Sequence, residues 1–182
     1  SYTYENDLIT ITLNNTMTVG SNGTIIINYS GKPFYENWGG VHWSGTYVFN
    51  LGVGFDSQPH NLGKTWFPCV DNFVDKATYD IFVTAVNGKK AVCGGNLMST
   101  TDNGDGTSTW HWSVPQEIPT YLASFAVGEY ELWEDTYQGI DRDIPITIYV
   151  KPNQINKVEG TFVHLKEIAR FLEDSFGPYP FN

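Results

Sequence analysis

Basic residues are scarce in this chain: ten lysines and arginines stand against twenty aspartates and glutamates, a formal charge of −10 at pH 7. A field of that sign repels phosphate backbones and anionic lipid, so neither nucleic acid nor a membrane surface is expected as a partner. Long apolar runs are missing too. None approaches the roughly 20 residues that span a bilayer, and the opening SYTYENDLIT has neither the basic start nor the apolar centre of a signal sequence. The chain is expected to be a segment cut from a longer one.

Cysteine is nearly absent. Cys69 and Cys93 are too few for a disulfide framework and leave two alternatives, free thiols or one bridge. Catalytic signatures are lacking as well. The four histidines, His42, His60, His111 and His164, are scattered, and the helical VHLKEIA has Leu165 and Ile168 where HExxH needs Glu and His. Cys69 has no CxxC partner, and Asp71 and Asp75 nearby would raise a thiol pKa, so neither metal ligation nor nucleophilic attack is expected of it. No serine lies in a GxSxG elbow. The acidic loop TTDNGDGTS lacks the spacing and closing Glu of a calcium loop and reads as a solvated hairpin. Glycosylation tripeptides at Asn14, Asn22 and Asn28 lean toward a periplasmic or extracellular setting.

What is present is aromatic and alternating. Hydrophobic residues make up 41% of the 182 positions and aromatic ones 15%, against 16% charged, the profile of a packed, sheet-rich domain. DLITITL puts Ile9, Ile11 and Leu13 on one face, and TIIINYS follows as a second strand. VHWSGTYVFNLGV holds one or two more. ATYDIFVTAV alternates through Tyr79, Ile81, Val83 and Ala85, with NGKK as a hairpin-type turn after it. TSTWHWSV directs Trp110 and Trp112 to one face as core residues, YLASFAVGEYELWED reads as one long strand bent at Gly128, and IPITIYV closes the series.

The period changes after Lys151. Ile155, Val158, Phe162, Leu165, Ala169, Leu172 and Phe176 recur at alternate spacings of three and four, which predicts one long helix with Asn153 as N-cap and Gly177-Pro178 as its stop. An apolar stripe of that length needs a cover. It is expected to fold back on the sheet, to meet a following domain, or to pair in a dimer through the Ile155–Phe176 stripe.

The run WFPCVDNFVDKATYDIFVTAV resembles the hallmark of the N-terminal domain of the aminopeptidase N family of zinc metallopeptidases, which includes leukotriene A4 hydrolase. Phe67, Pro68, Cys69, Asp71, Lys76, Ala77 and Thr78 match at the family's spacing and Tyr79 replaces its Phe, whereas Asn72 and Phe73 stand where Glu-Pro is usual. GNLMST, WHWSVPQEIPTYLASFAVGEYE and EIARFLEDSFGPYPF extend the likeness, which runs from about residue 53 to 182.

The resemblance implies a mainly β, saddle-like β-sandwich over residues 1–151, without its first strands. Residues 152–182 would then be an amphipathic helix and Gly-Pro-Tyr-Pro segment leading into a catalytic domain of the same chain. It implies zinc and HExxH in that domain and none in this fragment, and a parent that hydrolyses the N-terminal peptide bond of a peptide substrate. Cys69 would lie in a structural turn. The family's N-terminal domain lends a Gln or Glu eight residues before Phe-Pro-Cys to the pocket for the substrate's first residue. Pro59 holds that position here and a one-residue gap brings Gln58 to it, so Gln58 is the candidate substrate-binding residue. The alternatives are a carbohydrate-binding or adhesion β-sandwich, with Trp38, Trp43 and Trp133 as an exposed row, and a scaffold domain of an inactive relative.

Overall fold

The structure is a computed structural model that describes residues 1–181. The chain divides into two compact units, residues 1–31 and 32–182. In the first, β1 (Tyr2–Glu5) and β2 (Leu8–Ile11) form an antiparallel hairpin turned at Asn6 and Asp7, both at positive φ. The expected strand TIIINYS is not formed. Residues 24–30 lie outside every strand, with Ile25 and Ile26 exposed. A run of β-branched residues favours extended backbone but supplies no partner strand, and without a ladder the backbone has no reason to hold the conformation.

The second unit is built from three sheets. Strands β3 (Tyr35–Glu36), β4 (Gly39–Ser44), β5 (Tyr47–Leu51), β7 (Lys90–Cys93) and β10 (Phe125–Gly128) make a five-stranded sheet in the order β3-β4-β5-β10-β7. Strands β6 (Lys76–Val86), β8 (Asn96–Asp102) and β9 (Thr107–Pro119) make a second, ordered β6-β9-β8. The hairpin of β11 (Glu131–Gln138) and β12 (Asp143–Val150) is the third.

The core lies between the first two of these sheets. Ile81 from β6, Trp112 from β9 and Cys93 from β7 are buried together, with Trp66, Tyr79, Val83, Val92, Trp110 and Phe125 packed around them. Trp112 buries its ring and donates its Nε1–H to the carbonyl of Ala91 at 3.0 Å, a direct link from β9 to β7. The two tryptophans of TSTWHWSV are core residues, as large aromatics on an inner face are expected to be.

Two local expectations change and a third holds. NGKK does turn the chain, with Lys89 N bonded to Val86 O at 3.2 Å, but β6 then pairs with β9 and β7 with β10, so the turn joins two sheets and closes no hairpin. The long strand through Gly128 is two strands in different sheets. A Cβ at Gly128 would lie 2.0 Å from the Tyr47 ring, so this is where Tyr47 crosses the backbone and the chain leaves the first sheet. TTDNGDGTS is the turn between β8 and β9, its Asp102 and Asp105 carboxylates accepting the N–H groups of Gly104 and Thr107 at 2.9 Å each.

The helical region is also divided. Pro152–Lys157 is a 3-10 segment, α1 (Val158–Thr161) is a single turn, and α2 (Leu165–Phe176) is the amphipathic helix. Asn153 is not its cap; His164 occupies that place, without a side-chain hydrogen bond. Gly160 and the β-branched Thr161 and Val163 fall at the break, where helix propensity is lowest. Gly177, at φ +93°, ends α2 as expected.

Helix α2 meets the β11–β12 hairpin through its charged side. Lys166 Nζ pairs with Asp135 at 2.6 Å, Arg170 donates to the Gln138 carbonyl at 2.5 Å and lies over the Tyr137 ring, and Glu173 accepts the Tyr137 hydroxyl at 2.7 Å. Residues 166, 170 and 173 form one stripe. On the other side Ile168, Phe171, Leu172 and Phe176 are 55%, 67%, 48% and 83% exposed. Of the apolar stripe read from the sequence, Val158 is buried and Ile155, Leu165 and Ala169 are half-buried, while Phe162, Leu172 and Phe176 face outward. The helix folds back, but on its polar stripe.

Candidate functional site

The loop that carries Gln58 begins where β5 ends. Its stem is closed by the bridge between Val53 and Asn61, with Leu62 N bonded to Gly52 O at 2.7 Å and Gly54 N to His60 O at 2.8 Å. Gly52 has no room for a side chain: a Cβ would fall 1.7 Å from the Tyr121 carbonyl oxygen. From this stem the residues Phe55 to His60 project outward. Gln58 is exposed, and its Nε2 lies 3.2 Å from His60 Nε2, which must act as acceptor because an amide nitrogen can only donate.

The Trp-Phe-Pro-Cys segment follows directly and folds as a braced turn. The Asp71 carboxylate accepts Gly63 N at 3.3 Å and Lys64 N at 3.2 Å, which supplies acceptors to the start of the 3-10 turn Gly63–Thr65. Asn61 donates its side-chain amide to the Asp71 carbonyl, and Thr120 donates its hydroxyl to the Val70 carbonyl at 3.2 Å. Asn72 Oδ1 accepts the N–H groups of Val74 and Asp75 at 2.8 and 2.6 Å, an Asx-type turn that delivers the chain to β6.

Cys69 is half-buried in this turn, and burial together with the Asp71 charge pushes its thiol up to about 11. Cys93 is buried in the core, and burial pushes it up to about 12. Both thiols are free. A thiolate is the reactive form, so neither cysteine has the electropositive setting of a nucleophile. Among the described residues, no three His, Cys, Asp or Glu side chains come together as a set that could hold a metal ion.

The proposed aromatic row is not fully exposed. Trp38, in the turn between β3 and β4, and Trp43, on β4, are exposed, whereas Trp133 is on β11 and half-buried. Trp38 instead stacks on Phe55 of the Gln58 loop, ring centroids 6.2 Å apart at 21°.

Sequence reading missed Glu36. This residue ends β3, and its carboxylate accepts Asp56 N at 3.0 Å and the Ser57 hydroxyl at 2.5 Å. These bonds, the Ser57 hydroxyl foremost, hold its carboxyl below the usual carboxylate range. The partners are 20 and 21 residues away, and no motif or local period connects them.

Residues 1–122 match the Peptidase M1 N-terminal domain family. The match includes the first unit, upstream of the stretch where the resemblance of residues was evident. Relatives include transcription initiation factor TFIID subunit 2 of Drosophila melanogaster, 28% identical over 130 residues, which are 70% of this chain and 10% of that protein. Glutamyl aminopeptidase of Bos taurus is 32% identical over 124 residues, 67% of this chain and 12% of that protein. Human endoplasmic reticulum aminopeptidase 1 is 25% identical over 169 residues, 89% of this chain and 17% of that protein. The chain thus spans between about a tenth and a sixth of the length of these relatives.

Among solved structures, an M1 zinc metallopeptidase of Deinococcus radiodurans superposes with a TM-score of 0.69 at 22% identity, covering 82% of this chain and 34% of that one. Legionella pneumophila aminopeptidase A gives a TM-score of 0.66 at 21% identity, over 77% of this chain and 16% of that one. At these identities the superpositions show a shared fold.

Proposed function

The chain belongs to the Peptidase M1 N-terminal domain family, and from that premise we propose that it is the non-catalytic β domain of a zinc aminopeptidase, covering and packing against a catalytic domain of the same polypeptide. In this reading residues 1–151 are the β domain, 152–182 lead into the catalytic domain, and zinc and the hydrolytic residues belong to the latter. The parent removes N-terminal residues from peptides, and Gln58 contributes to the wall around the substrate's first residue.

The observation that carries the reading is the orientation of α2. Amphipathic helices of complete domains bury their apolar stripe; this one spends its charged stripe on the β11–β12 hairpin and directs Ile168, Phe171, Leu172 and Phe176 away from it. A second domain of the same polypeptide would be a natural cover for such a face.

Placing aspartate at Phe171 and Phe176 tests it. In the isolated chain both positions are exposed, and the double variant should melt close to the parent chain. In the full-length natural gene product the same changes should lower Tm and aminopeptidase activity together. An unchanged full-length protein would sink the interdomain role of the helix.

A second reading has its own support. Relatives at 28% identity are named as a subunit of a transcription initiation factor. A domain of this family acting as scaffold in an assembly, without hydrolysis, is therefore the competing proposal, and chelator-sensitive hydrolysis by the full-length product separates the two.

A further inference from the structure

Gln58 is exposed at the tip of a loop, and a loop side chain can contribute to a pocket wall only if the loop is held. Glu36 at the end of β3 and Trp38 in the β3–β4 turn hold this one. Glu36 Oε1 accepts Asp56 N at 3.0 Å and Oε2 accepts the Ser57 hydroxyl, while Trp38 stacks on Phe55 at 6.2 Å. Phe55, Asp56 and Ser57 are thus fixed in succession, and Gln58 is the next residue. The contact extends to the backbone. A Cβ at Gly39 would lie 2.7 Å from Gly54 Cα, and one at Gly54 would lie 2.0 Å from Glu36 Oε1, so the turn and the loop touch where neither has a side chain.

We infer that Glu36 is a positioning residue for Gln58, its carboxylate holding the 54–60 loop in the conformation that presents the Gln58 amide to the substrate's first residue. The inference rests on the proposed role of Gln58 and adds the group through which that role is set. Glu36 acts through the loop and need not touch substrate. Its loss should change how well substrate binds and leave the turnover step alone.

The test has two readouts. The first is amide hydrogen exchange at Asp56 and Ser57 in the isolated chain. Glu36→Ala should raise exchange at Asp56 by about tenfold or more, the effect of one lost charge-assisted hydrogen bond, with the amides of β4 and β5 unchanged. Glu36→Gln keeps an oxygen for Asp56 N–H and should retain most of the protection. If the alanine variant does not fold, Ser57→Ala, which removes the hydroxyl donor and leaves Glu36 in place, should raise loop exchange to a smaller degree. Unchanged exchange overturns the inference.

The second readout is steady-state kinetics of the full-length gene product on an aminoacyl p-nitroanilide. Gln58→Ala and Glu36→Ala should each raise KM several-fold at constant kcat, Glu36→Gln should restore KM, and the double variant should be no worse than Gln58→Ala. Full additivity would mean that Glu36 does not act through Gln58 and overturns the inference. A loosened loop with KM unaffected by Gln58→Ala overturns it from the other side. In that case the role of Gln58 has failed, and the exchange data show that the brace itself stands.

Discussion

The hydroxyl of Tyr137 donates to the carboxylate of Glu173 at 2.7 Å, across 36 residues of sequence. Glu173 is only 4% exposed, and it also accepts Ile140 N at 3.1 Å and Tyr179 N at 2.9 Å. One side chain of α2 thereby joins three things: strand β11, the turn after it, and the Gly-Pro-Tyr-Pro segment beyond the helix. Arg142 completes the junction by donating to the carbonyls of Tyr179 and Phe181 at 2.7 and 2.8 Å.

The junction gives a pH prediction with a definite sign. The Tyr179 N–H first, then the Tyr137 hydroxyl, hold the Glu173 carboxyl below its usual range. A depressed carboxylate adds stability above its unfolded pKa, near about 4.3, and loses it as pH falls through the lower folded value. Glu173→Gln should therefore lower Tm at neutral pH, and the gap to the parent chain should be constant above about pH 5 and narrow below about pH 4. A gap independent of pH down to acid unfolding would mean that the charge of Glu173 contributes nothing.

Asp71 gives a second prediction. Its carboxylate accepts the N–H groups of Gly63 and Lys64, so Asp71→Ala leaves that turn without its acceptors at a cost of about 1 kcal/mol. Asp71→Asn keeps one amide oxygen and should cost less. Chemical denaturation of both variants measures this; equal costs would show that the lost acceptors are not the cause.

Cys69 gives a third. With its thiol pushed up to about 11 by burial and by Asp71, alkylation by iodoacetamide at pH 8 should be on the order of a hundredfold slower than for an unhindered peptide thiol. Mass spectrometry after timed labelling of the folded chain reads the rate directly. Labelling at the rate of a free thiol would contradict the turn as described.

Legibility in the sequence followed the range of the interactions. Strands β2, β6, β9 and β12 could be read because period-two alternation is local, and the Phe-Pro-Cys turn because its residues resemble the family's hallmark. What failed depended on distant groups. Residues 24–30 carry the β-branched apolar run of a strand but pair with nothing within the described residues of their unit. Gly128 looked like a bend within a strand, but the chain changes sheets there, where the ring of Tyr47, more than eighty residues earlier, crosses the backbone. The spacing of the helix stripe was right, yet it could not reveal that Lys166, Arg170 and Glu173 would face the hairpin. Gln58 was named through the family resemblance and a one-residue gap, while Glu36, which accepts hydrogen bonds from its loop, had no local signal at all.

The most direct measurement is hydrolysis of an aminoacyl p-nitroanilide by the full-length natural gene product, before and after removal of metal. The account predicts hydrolysis that is lost on chelation and restored by zinc, with Gln58→Ala raising KM. A folded full-length protein that hydrolyses no aminoacyl substrate with zinc present would contradict it and leave the scaffold reading in its place.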